Sequence, residues 1–103
     1  MDKVSMYREY LQKKPGDRFA MYGIAFELKK SGQPGAEAAF RELLEVHPTS
    51  GAGHYQLGLL LDELGREEEA RVAWEAGLEA LTGVEDPEAQ RSVREIEGAL
   101  QDL

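Results

Sequence analysis

Cysteine is absent from the 103-residue chain, which excludes disulfides and thiolate metal sites but says little about compartment. Proline occupies only 4 positions, and no apolar run approaches the length needed to cross a bilayer. The opening segment Met1-Asp2-Lys3-Val4-Ser5-Met6 lacks the apolar core of a secretory signal. A cytoplasmic protein without membrane contact is therefore expected. Lysine is missing beyond Lys30, and histidine occurs only at His47 and His54.

What is present belongs to a globular chain. Apolar residues make up 42% and charged residues 31%, too apolar a balance for disorder and enough for one modest core in a single domain spanning 1–103. The 11 glycines and few prolines read as punctuation between helices. A net charge of −8 argues against a nucleic-acid backbone as the main partner. That charge is uneven. Residues 1–31 carry seven basic and four acidic side chains, a balance of +3; residues 32–103 carry five and sixteen, a balance of −11. Two readings stand: a solvated surface with no further role, or a dipole that orients a partner or a second copy.

The chain repeats itself. Tyr7-x-x-Tyr10-Leu11-x-x-x-Pro15 is matched by Phe40-x-x-Leu43-Leu44-x-x-x-Pro48 and by Trp74-x-x-Gly77-Leu78-x-x-x-Thr82, at a nearly constant interval. An aromatic followed by apolar residues three and four positions on is one face of a helix. Between these segments, Met21-Tyr22-Gly23-Ile24-Ala25 aligns with His54-Tyr55-Gln56-Leu57-Gly58, Leu28 with Leu61, and Gly32 with Gly65. Both latter glycines suit left-handed C-caps. The turn Gln33-Pro34-Gly35 is one residue shorter than its counterpart, with Pro34 suited to a first helical position. Glu67-Glu68-Glu69 places acids in a helix first turn, where the dipole favours them. The pattern predicts six helices, over about 2–13, 17–31, 34–46, 51–64, 67–81 and 87–102, the last opened by an Asp86 cap and Pro87. No strand is predicted.

These residues resemble the tetratricopeptide repeat family. Residues 51–82 match its signature spacing through Leu57-Gly58, Leu61, Gly65, Ala70, Trp74, Gly77 and Leu78. Residues 18–48 match through Ile24-Ala25, Leu28, Gly32, Ala36, Phe40, Leu43-Leu44 and Pro48, with the shortened turn as a departure. Residues 3–15 look like the second helix of a half repeat. The resemblance implies an all-α fold of antiparallel helix-turn-helix repeats in a right-handed superhelical array. Residues 86–103, with Ala89, Val93, Ile96 and Leu100 on one stripe, read as a polar-backed capping helix.

Each first helix carries a second apolar stripe, turned by roughly 100° from the core stripe. It comprises Phe19, Tyr22 and Phe26 in one unit and Ala52, Tyr55 and Leu59 in the next. One reading is further core. The other follows from the resemblance, which implies that these positions line a concave groove gripping a segment of another protein or peptide. Lys29, Lys30, Asp62 and Glu63 would then stand at its end. Some family members clamp acidic tails with lysine and asparagine on this face. Tyr22, Phe26, Tyr55 and Leu59 occupy those places here, so an apolar or aromatic-anchored ligand is expected. A homodimer built on the same stripe is the alternative.

Chemistry finds little to work with. His47 and His54 lack an evident third metal ligand, and Ser50-Gly51-Ala52-Gly53 lacks a phosphate-loop lysine and reads as a connector. No nucleophile, base and orienting group assemble, so a non-catalytic protein-binding scaffold without cofactor is expected.

Overall fold

The computed structural model describes residues 2–103 and contains six helices among them: α1 (Lys3–Lys13), α2 (Arg18–Lys30), α3 (Ala36–Val46), α4 (Gly51–Glu63), α5 (Glu67–Ala80) and α6 (Pro87–Gln101). No described residue lies in a strand. No described helix is long and apolar enough to cross a membrane. Four helices open on a short acceptor side chain. Asp2 accepts from the Ser5 N–H at 2.8 Å, Asp17 from Ala20 at 2.9 Å, Ser50 from Gly53 at 3.2 Å and Asp86 from Ala89 at 2.9 Å. Each bond satisfies an N–H that the helix itself leaves without a partner.

Two helices end in the same way. Gly32 and Gly65 take left-handed φ of 67° and 78°. The Gln33 N–H then reaches back to the Leu28 carbonyl and Gly32 to Lys29, as Arg66 does to Leu61 and Gly65 to Asp62. This double return closes the helix and frees the chain to reverse. The two turns then differ. The sequence pattern puts Pro34 at the first position of α3, yet that helix starts at Ala36, because Gly35 takes φ 95° and no helical residue does. The path from Gly32 to Ala36 is one residue shorter than that from Gly65 to Ala70, and it reverses the chain with a second left-handed residue.

The chain forms two compact units, Met1–His47 and Pro48–Leu103. In the first, α2 packs on both α1 and α3, and buries Ala20, Met21, Ile24, Ala25 and Leu28 while α3 buries Ala36, Phe40 and Leu43. Tyr7 of α1 lies over Gly23 of α2: a Cβ there would stand 2.5 Å from the ring. In the second unit, α4 pairs with α5 and α6 covers both. A Cβ on Gly58 would collide with the indole of Trp74, which is 1% exposed and donates from Nε1 to the Tyr55 carbonyl at 3.1 Å. Gly77 admits the side chains of His54 and Ile96, and Gly51 admits Ser92. The expected stripe of α6 holds: Ala89 and Ile96 are buried, Val93 and Leu100 half-buried. Ser92 joins it, standing one repeat length after Gly58 at the small-residue position of the repeat.

Two outcomes follow from this packing. Gly58→Leu drives a side chain into Trp74 and is expected to destabilise by about 1–3 kcal/mol. Thermal melting followed by circular dichroism checks it, and a midpoint unchanged from wild type contradicts the contact. Removing residues 84–103 uncovers the surface around Gly51, His54, Gly77 and Leu81. The shortened chain should keep its helical signal per residue, melt lower and associate, as read by light scattering.

Candidate functional site

On α2, the residues Phe19, Tyr22 and Phe26 recur every three or four positions and therefore share one face. They are not equally covered. Phe19 is 73% exposed and meets the ring of Tyr7 edge-on, with centroids 6.0 Å apart. Tyr22 and Phe26 are half-buried and stack at 5.8 Å with an interplanar angle of 17°. Tyr22 also meets the buried Phe40 ring edge-on at 6.3 Å. The stripe is thus core along one edge and open along the other.

The charged border of that face is partly neutralised. Glu27 lies 3.9 Å from Lys3 and 3.8 Å from Lys30, while Lys29, one residue earlier, is half-buried. Such exposed pairs contribute little stability. Glu27 is the one carboxylate of α2 against the cations Arg18, Lys29 and Lys30, so the helix as a whole is cationic.

In the second unit, Tyr55 and Leu59 are half-buried and Asp62 is exposed, all on α4. The Tyr55 carbonyl takes the Trp74 indole N–H, so this face is tied directly to the aromatic centre of its unit. Ala52 is exposed at the head of the same line.

The histidines are structural. His47 Nε2 lies 2.6 Å from the Gly16 carbonyl, and His54 Nε2 lies 2.8 Å from that of Pro48. A carbonyl only accepts, so each Nε2 carries the hydrogen. The His47 ring joins the turn that follows α3 to the turn that follows α1, and the His54 ring ties α4 to the turn that precedes it. Burial pushes the His54 pKa below its ordinary 6.5, and the Pro48 carbonyl opposes that shift. Among the described residues no three of His, Cys, Asp or Glu come together as a metal site. Ser50-Gly51-Ala52-Gly53 is spent on capping: the hydroxyl holds Gly53 and Gly51 lies beneath Ser92.

Sequence reasoning missed three features. The Tyr7–Phe19 contact joins residues from different helices, and only the alignment of Tyr7 with Phe40 and Trp74 hints at it. Met6 and Tyr10 on α1 are 55% and 47% exposed beside an open depression of about 410 Å³ lined with Glu9 and Lys13. A second opening of about 410 Å³ lies over α2, between Leu11 of α1 and Ala38 and Ala39 of α3. Small side chains on α3 leave it unfilled, and no sequence period marks such a gap.

Comparison with known proteins adds no relative, since no family model, curated protein or solved structure matches the chain.

The depressed pKa of His54 has a consequence for stability. Below pH 6.5 the unfolded chain takes up a proton that the folded ring resists, so stability is complete above that pH and falls as pH drops from there toward the folded pKa. His54→Gln keeps an N–H for the Pro48 carbonyl and does not titrate. Urea unfolding at a series of pH values from neutral to mildly acidic should show wild type losing stability relative to the variant. Parallel curves would contradict a buried neutral ring.

Proposed function

We propose that the chain is a non-catalytic interaction module that holds a segment of another polypeptide, with Phe19, Tyr22, Phe26 and Lys29 as the gripping face of the first unit. The observation that carries this is the half-open aromatic stripe of α2. Phe19 projects with most of its surface in water, beside a stacked pair whose far edge is fixed against Phe40. A ring already held in place loses little freedom when a ligand covers it, which is why such residues dominate binding surfaces. Tyr55, Leu59 and Asp62 of α4 form the corresponding face of the second unit.

The resemblance to tetratricopeptide repeats supports the same reading, because it assigns partner contact to these positions; function from fold is analogy. The chemistry of the face favours an apolar or aromatic anchor in the bound segment. A scaffold role and a cytoplasmic setting accompany the proposal.

Phe19→Ala with Phe26→Ala tests it. Phe19 is largely solvated, so the double variant should keep wild-type helicity and lose only a little of its melting temperature. Affinity capture from lysate of the native host, with bound proteins identified by mass, should show a specific partner on wild type and its loss on the variant. Val72→Ala, a substitution of an exposed residue on α5, should leave capture intact. A partner retained by the double variant, or lost equally with Val72→Ala, rules out the α2 face.

A further inference from the structure

Helical spacing carries the aromatic lines of α2 directly into charge. Lys30 follows Phe26 by four positions and Phe19 by eleven, so the three residues share one line along the helix. Arg18, Tyr22 and Lys29, at spacings of four and seven, form a second line beside it. The rings therefore lie between cations, with Arg18 at one end and Lys29 and Lys30 at the other. Helix α1 adds to both ends. Lys3 shares Glu27 with Lys30, at 3.9 and 3.8 Å, and the exposed Lys14 stands in the turn that leads into α2. Of the carboxylates here, Asp17 is turned onto the Ala20 N–H as the cap of α2, and Glu27 is divided between two lysines.

Compensation of the helix dipole accounts for lysines in a last turn wherever they occur. It does not account for their distribution in this chain. Helices α3, α4, α5 and α6 end without a basic residue in the last turn, and no lysine follows Lys30. The chain carries −8 overall while residues 1–31 carry +3. Cations thus cluster where the aromatic rings are half open and Phe19 is 73% exposed. An anionic ligand is repelled by the chain as a whole and attracted here, which gives this face its own selectivity.

We infer that the polypeptide segment held on α2 is acidic on both sides of its apolar or aromatic anchor. The inference rests on the reading of the α2 stripe as a binding face and adds the charge of what it binds. Twelve positions separate Arg18 from Lys30, roughly 18 Å of helix. An extended segment covers that length in about five or six residues. The anchor lies over Phe19 and Phe26, one acidic group meets the Arg18 and Lys14 end, and the other meets Lys29 and Lys30. Side-chain carboxylates suffice for both contacts, so the segment need not end in a chain terminus.

Calorimetric titration of the full chain with three peptides, up to about 1 mM, tests this. The peptides share the centre Leu-Ser-Trp-Ser-Leu and have blocked ends, and the two residues on each side are glutamate, serine or lysine. The glutamate peptide should bind at least about tenfold tighter than the serine peptide, and the lysine peptide more weakly than either. Raising salt from about 50 to about 500 mM should erase most of that difference. Lys14→Glu with Lys30→Glu should reverse the order in favour of the lysine peptide, with helicity at its wild-type value, since both side chains are exposed. Equal binding of the three peptides, lost in Phe19→Ala with Phe26→Ala, overturns the charge assignment and leaves the binding face standing. A glutamate preference that survives in that phenylalanine variant overturns the α2 face itself. A preference indifferent to Lys14→Glu with Lys30→Glu overturns the assignment by placing the cations elsewhere. Binding of none of the peptides also overturns it, and lysate capture then decides the face alone.

Discussion

A flat ring can lie against a helix backbone only where that helix lacks a side chain, and each unit is organised around one such place. Trp74 occupies the space that a Cβ on Gly58 would take, and Tyr7 does the same at Gly23. The gain is large apolar area brought into contact at short range; truncating a buried aromatic of this kind costs about 3–5 kcal/mol. In the second unit the fit also has a polar register. The Trp74 N–H must find an acceptor once buried, and the Tyr55 carbonyl supplies it. That bond fixes how α5 lies along α4. The positions of Gly77 against His54 and Ile96, and hence the seat of α6, follow from it.

Much of this is legible in the sequence. Period and punctuation place all six helices, because the aromatic recurs at a nearly constant interval and glycine ends the first helix of each complete repeat. The start of α3 is not legible. Proline at position 34 satisfies the rule for a helix start, but the rule does not see that the preceding turn is too short to reverse the chain without Gly35. Ser92 is legible only in part. It aligns with Gly58, but Arg91 in place of Leu57 breaks the repeat pattern, so the last helix reads as a cap, whereas in the fold the smallness of Ser92 is what matters against Gly51.

The candidate site is legible in phase and not in degree. Helical spacing puts Phe19, Tyr22 and Phe26 on one line, and that line exists. Spacing cannot say how far a neighbouring helix overhangs it. Tyr22 is held by Phe40 while Phe19, three residues away, stands in water. The difference comes from the lateral position of α1 and α3 about α2, which is set by contacts from both helices. The same holds for Met6 and Tyr10, whose openness depends on which helices pack on α1.

The connectors within each unit are short, three to six residues between consecutive helices. Within each unit the packed helix pairs are therefore close along the chain, the most distant being α4 with α6. Little loop entropy is spent in bringing such partners together, and their contacts form without waiting for remote segments. Chains of this kind reach their folded state on the order of microseconds to milliseconds. Speed of assembly is thus written into the turn lengths, whereas resistance to unfolding resides in the rings they bring together.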